Sequence, residues 1–220
     1  MNEWLALGIG VLLLYALSIL IPLALIVFLA VILIRAAAFK PKAQPKADAT
    51  PVDFDKNAAV DALRELVICK TVSYMDPALE DDAEFEKLIA KLPTLYPHVF
   101  KTCEFTRLPD RGLLFRWKGK TEGAPAVMMA HYDVVPVDES GWEKPAFDGV
   151  VDNGVLWGRG TIDTKGTLNG ILQAAELLIS EGFVPNNDVY FAFGGNEEVS
   201  GDGSYGIVQL FKQRGITPGL

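Results

Sequence analysis

The sequence predicts an α/β fold, a mixed sheet layered between helices (α/β/α), with a transmembrane helix ahead of it. Three observations predict this. Segment 4–34 is almost wholly apolar and carries no charge. Beyond residue 53 the apolar pattern switches repeatedly between helical spacing and short buried runs. A histidine and several acids then stand near the ends of those runs: His131, Asp133, Asp163, Glu197 and Glu198.

The hydrocarbon of a bilayer needs about 20 apolar residues in a helix, and residues 4–34 exceed that length. A cleaved signal peptide is the alternative, with Ala36-Ala37-Ala38 as small residues of the cleavage-site type. Glu3, however, stands where a basic flank belongs, and the run is longer than a signal core. The reading is an uncleaved anchor over 1–38, with Pro22 tolerated inside it. Residues 39–52, with Pro41, Pro45 and Pro51, read as a flexible linker, and 53–220 as one domain with its own core. Arg35, Lys40, Lys42 and Lys46 follow the span, which by flank charge alone favours a cytoplasmic domain. A formal charge of -8, with 20 Lys and Arg, argues against broad nucleic-acid binding. Cys69 and Cys103 are too few for a disulfide framework and read as buried thiols.

Within the domain, Ala59, Leu63, Leu66 and Val67 share one helical face. A second helix follows Asp81-Asp82, with Phe85, Leu88, Ile89 and Leu92 inward and Pro93 as its stop. Segments 99–106 and 112–117 read as strands about the turn Pro109-Asp110-Arg111-Gly112. Ala126 to Ala130 predicts a buried strand with His131 at its exit. Residues 136–154, rich in Gly and Pro, read as a long loop or short hairpins. Leu168, Ile171, Leu172, Ala175, Leu178 and Ile179 predict a helix that stops at Gly182. Val189 to Phe193 is a strand leading into Glu197-Glu198, and an amphipathic stretch with Ile207 and Phe211 ends near Gly215. In layered α/β sheets, functional groups gather beyond the carboxyl ends of strands, where these residues fall.

Each polar motif has a chemical and a structural reading. An imidazole is a good zinc ligand, and Asp133 is spaced to hold the second ring nitrogen of His131. A polar pair that braces a loop reads the same way. Asp163, just ahead of a helix, suits a carboxylate bridging two metals and also an N-cap or near-cap anion, two roles that do not exclude one another. Adjacent Glu197 and Glu198 repel one another unless a cation or donors compensate, or unless both are solvated. The glycine-rich segments lack phosphate-loop spacing, and no G-x-S-x-G nucleophile elbow is present.

Three ordered segments then resemble the M20 metallopeptidase family: His131-Tyr132-Asp133-Val134-Val135-Pro136, Trp157 through Gly166, and Gly194-Gly195-Asn196-Glu197-Glu198. The Trp142 loop and the apolar span look most like its carboxypeptidase S and N-acyl-amino-acid hydrolase branch. The resemblance implies a zinc-peptidase-like catalytic domain with two Zn2+ per complete site. It implies His131, Asp163 and Glu198 as metal ligands, Glu197 as general base and Asp133 as orienter of His131. It also implies a small peptide or N-acyl amino acid with a free carboxylate as substrate, a possible homo-oligomer, and a lumenal or extracellular domain, against the flank charges. The family adds a further acid and a later histidine to this shell, together with an inserted lid or dimerisation domain. These have no match here, so the expectation is the amino-terminal portion of such a domain, lacking two ligands and inactive alone. A non-catalytic, membrane-tethered metal-binding or interaction module is the alternative.

Overall fold

The computed structural model describes residues 3–40 and 51–219. Most of the expected linker lies outside the described residues. The chain divides into two compact units, Met1–Val52 and Asp53–Leu220.

Helix α1 runs Glu3–Ala38, with Pro22 inside it. Its segment Gly8–Ala38 is long and apolar enough to cross a membrane, and none of that segment is buried against protein. An apolar surface of this extent needs lipid around it. Among the described residues this one apolar helix supports a single-pass membrane protein.

The second unit opens with α2 (Lys56–Val67), α3 (Asp82–Leu95) and α4 (Pro97–Thr102). Asp55 and Asp81 start α2 and α3 by accepting from the Ala58 and Ala83 amides, both at 3.0 Å. Strands β1 (Glu104–Arg107), β2 (Leu113–Trp117) and β3 (Ala126–His131) follow. The chain then makes a hairpin, β4 (Val150–Asp152) and β5 (Val155–Trp157). It ends with α5 (Lys165–Ser180), β6 (Val189–Gly194) and α6 (Gly203–Gln213). The main sheet has the order β1-β2-β6-β3; β2 is antiparallel to β1 and β6, and β3 is parallel to β6. The unit is thus a mixed α/β/α sheet domain.

One sheet face buries Phe115, Trp117, Phe191 and Phe193 against Leu66, Leu88, Leu92 and Leu172 of the helices. The other face buries Leu114, Tyr190 and Ala192 under Ile207 and Phe211 of α6. Strand alternation produces both: successive side chains of β2 and β6 point to opposite layers.

Three sequence expectations need correction. Pro93 does not end α3, which continues to Leu95. The stop comes from Pro97, because a residue preceding proline avoids the helical region, and Tyr96 sits at φ -136°, ψ 62°. Residues 99–102 are helical rather than strand. Pro97 presets the first turn, and the Glu176 carboxylate of α5 accepts from the amides of His98 (2.8 Å) and Val99 (2.9 Å). That cap arrives from far along the chain, so local pattern could not show it.

The third correction is β3, expected as a buried strand. Met128 and Met129 are 47% and 70% exposed. Among the described residues, β3 pairs only with β6. The Ala126 amide bonds Asp188 (3.1 Å) and the Tyr132 amide bonds Gly194 (2.9 Å), so even-numbered residues pair inward. Val127, Met129 and His131 turn their backbone groups the other way.

Phe115 is fully buried and packs on Phe100, Phe105, Phe191 and Phe193. Phe115→Ala is expected to lower the unfolding free energy of this unit by about 3–5 kcal/mol. Urea denaturation checks it, and a loss below about 1 kcal/mol would remove Phe115 from the centre of the core.

Candidate metal centre

The site forms where parallel strands β3 and β6 deliver their carboxyl ends side by side. His131 ends β3, in register with Gly194 at the end of β6. The chain turns at once after Gly194, so Glu197 and Glu198 fold back beside His131. Asp163 arrives from the loop between β5 and α5, two residues before the helix begins at Lys165. Gly160 lets that loop pass: its φ is +88°, and a Cβ there would lie 2.8 Å from Val134.

Asp133 fastens these segments together. Its side chain is fully buried. It accepts from the Ser73 hydroxyl at 2.7 Å and from the backbone amides of Glu197 and Glu198, each at 3.1 Å. On the imidazole of His131, Nδ1 lies 3.1 Å from the Asp133 carbonyl and 3.3 Å from its carboxylate. With Nδ1 held as the donor, Nε2 is left facing the cluster, 3.0 Å from Asp163 Oδ1 and 3.7 Å from Glu197 Oε2. Thr164 braces the same strand end: its hydroxyl accepts from the His131 amide (2.9 Å) and donates to the His131 carbonyl (3.0 Å).

Lys165 anchors the start of α5 from below. Its buried ammonium donates to the carbonyls of Leu66 (3.1 Å) and Cys69 (2.7 Å), and burial pushes its pKa down to about 8.

The electrostatics follow from burial and crowding. Burial opposes charge on both His131 and Asp133, but their mutual contact wins. His131 is raised to about 9 by Asp133, with Asp163 adding to the effect. Asp133 is held below the usual carboxylate range by His131, Ser73 and the two backbone amides. The Glu198 carboxyl is raised by burial and by the charges of Asp163, Asp133 and Glu197, with His131 opposing.

The sequence alternatives separate here. Asp163 is not the N-cap residue, since Thr164 occupies that position and no side chain there bonds a helix amide; its charge nonetheless lies one residue before the cap. Asp133 braces its loops and contacts His131 at once, so its two readings coexist. Donor atoms of His131, Asp163 and Glu198 all lie within 4.8 Å of one another. Ligands of a tetrahedral ion at about 2 Å sit about 3.3 Å apart, so modest side-chain rotation closes this set on one ion. Among the described residues, no lysine or arginine pairs with Asp163, Glu197 or Glu198. One imidazole and two carboxylates without a basic partner fit a divalent cation, and the mixed nitrogen and oxygen donors suit zinc.

Reading the sequence alone missed Ser73, Thr164 and Lys165. Ser73 carries no local signal, since it lies 60 positions from Asp133. Thr164 and Lys165 lie inside the segment Trp157–Gly166, but nothing in their spacing separates support from chemistry.

The chain is similar to several known proteins. The profile of "Peptidase family M20/M25/M40" matches residues 127–218. "Probable carboxypeptidase S-like 2" of Dictyostelium discoideum is 36% identical over 156 residues, 68% of this chain and 30% of that protein. Human "N-fatty-acyl-amino acid synthase/hydrolase PM20D1" is 34% identical over 178 residues, 78% of this chain and 35% of the relative. The chain thus spans about a third of the length of these relatives. Among solved structures, human carnosine dipeptidase 1 superposes with a TM-score of 0.58 at 17% identity, over 72% of this chain and 35% of that one. The M20 family metallo-carboxypeptidase Sso-CP2 of Sulfolobus solfataricus gives 0.57 at 21% identity, over 75% and 36%. Both show a shared fold.

The chain has two histidines, which makes the His131 titration easy to follow by proton NMR. In the metal-free protein its midpoint is expected near 9, and Asp133→Asn should move it down by more than one unit. Because the folded pKa is raised, the stability His131 contributes is complete below its unfolded pKa of about 6.5 and is lost as pH rises through about 9. A midpoint near 6.5 would show that the acids do not act on this ring.

Proposed function

With a domain of M20-peptidase type, related to carboxypeptidase S and PM20D1-like enzymes, as the premise, we propose that this chain carries part of the centre of a zinc-dependent amidohydrolase. Its reaction is hydrolysis of an amide or peptide bond in a small peptide or an N-acyl amino acid with a free carboxylate. The observation that carries the reading is the convergence of His131, Asp163 and Glu198 within 4.8 Å, with Glu197 beside them.

His131 Nε2, Asp163 and Glu198 would hold the metal, and a complete centre would hold two Zn2+. Two four-coordinate ions need more donors than these three residues offer, and we propose that further polypeptide supplies the rest. Zinc, when bound, would act as a Lewis acid on the substrate carbonyl and lower the pKa of water. The chain's own groups do the remaining work. Asp133 keeps the His131 ring aligned and the Glu197-Glu198 backbone in place. The Glu197 side chain is 58% exposed and so reaches a substrate from the solvent side. As general base it takes a proton from the attacking water and passes it to the leaving nitrogen.

A non-catalytic, membrane-tethered metal-binding module is the second reading, favoured by the same donor count, since three residues serve one ion. Zinc stoichiometry and hydrolysis of an N-acyl amino acid, measured on the complete protein that carries this chain, with and without Glu197→Gln, separate the two. The amidohydrolase reading expects the variant to keep its zinc while turnover falls by about 10²–10⁴-fold. Near-normal turnover would remove Glu197 from the base role, and zinc bound without any turnover in the complete protein would favour the module.

We also propose a lumenal or extracellular domain, supported by the resemblance to the carboxypeptidase S branch and opposed by the basic residues after the span. Added protease should leave the domain intact in sealed, right-side-in membrane vesicles until detergent opens them. Digestion before detergent would place it in the cytoplasm.

A further inference from the structure

Beside the metal centre lies a cleft of about 270 Å³ with a different character. It is formed by the β4–β5 hairpin, the loop after β5, and Trp142, and Asp163 lies at its edge. Its walls are apolar: Trp142, Val155, Trp157 and Ile162. Ile162 is 88% exposed, immediately before the metal-facing Asp163. A large aliphatic side chain held out to water next to a polar centre is ready to contact something that arrives there.

Arg159 lies in the same cleft. Its guanidinium carbon sits 5.3 Å from the centre of the Trp142 ring, and its backbone amide is tied to the Ala146 carbonyl at 2.7 Å. Yet Nε of that guanidinium is buried and has no hydrogen-bond partner. The neighbouring cation Lys144, by contrast, is paired with Asp152 at 2.9 Å. A buried donor left unmade is costly, and native proteins keep few of them. Among the described residues Arg159 has no carboxylate partner, and a guanidinium lying over an indole ring is suited to pair with a planar carboxylate.

We propose that this cleft is a substrate subsite in which Arg159 pairs with the free carboxylate of an N-acyl amino acid or peptide, while Trp142, Trp157 and Ile162 receive the apolar side chain next to it. The inference rests on the amidohydrolase reading for the identity of the occupant. Charge complementarity argues for a carboxylate, because among the described residues Arg159 has no ion-pair partner, whereas Asp163 at the edge of the cleft contacts His131. Continuity argues for substrate, because the cleft runs to Asp163 and so to the scissile position. Arg159 is then a specificity-determining residue that selects acids over neutral amides.

Trp142 and Trp157 both line the cleft, so intrinsic fluorescence reports its occupancy. The test titrates the full chain in lipid nanodiscs, with EDTA present so that no metal accounts for anion preference. The probes are N-acetyl-leucine and N-acetyl-leucinamide. The acid is expected to give a saturable change and to bind on the order of tenfold more tightly than the amide, as one charge-assisted hydrogen-bonded pair allows. Arg159→Met should erase that preference while leaving amide binding in place, which also shows that the cleft is still folded. Arg159→Lys should recover part of the preference. Equal binding of acid and amide by the parent chain, an acid preference that survives Arg159→Met, or no saturable change with either probe overturns the proposal. Acid preference that depends on Arg159 in a complete protein that hydrolyses nothing would sink the amidohydrolase reading and leave the subsite standing. Hydrolysis with an acid preference indifferent to Arg159 would do the reverse.

Discussion

The buried carboxylate of Asp133 is the constraint on which the site depends. An ionised carboxylate taken out of water costs several kcal/mol unless donors surround it. Here a serine hydroxyl, two backbone amides and an imidazole do so, and each belongs to a different part of the chain. Ser73 follows α2, His131 ends β3, and Glu197-Glu198 follow β6. The desolvation that Asp133 suffers therefore holds three segments at fixed distances. The metal-facing side chains inherit their positions from that knot rather than from contacts of their own, which suits groups that must remain open to a ligand.

The arrangement also explains an imbalance of charge. Asp163, Glu197 and Glu198 converge on one imidazole with no lysine or arginine among them in the described residues. Basic side chains near the domain's surface are spent elsewhere, as with Arg111 on Glu80 and Asp82. Within the centre, the proton that His131 retains to about pH 9 is the available counter-charge. A divalent cation held there by His131, Asp163 and Glu198 would compete with that proton and offset the crowded carboxylates, which would couple binding to proton release.

Much of this was legible in the sequence, for a physical reason. The candidate site residues sit just after apolar strands, so His131 and Glu197-Glu198 stand out by position, and the glycines before Asp163 mark a turn that only small residues permit. Helix faces such as Phe85, Leu88, Ile89 and Leu92 follow directly from periodicity, and all four are buried. What stayed hidden depends on distant partners. Ser73 looks like any loop serine until Asp133 folds onto it. Residues 99–102 have strand-like composition, but Glu176 pins their amides into a helical turn. The exposure of Met128 and Met129 reflects which neighbours β3 has, something its own residues do not encode.

Thr164 carries a consequence of its own. Strand β3 turns the backbone groups of Val127, Met129 and His131 away from β6, offering a ladder on which a further strand can add. At the last rung the Thr164 hydroxyl already serves both the amide and the carbonyl of His131. Sheet growth on that side is therefore arrested one residue short of the metal centre. Whatever pairs with β3 can extend the sheet alongside Met129 but not past His131, so one side chain fixes where the sheet ends beside the candidate metal centre.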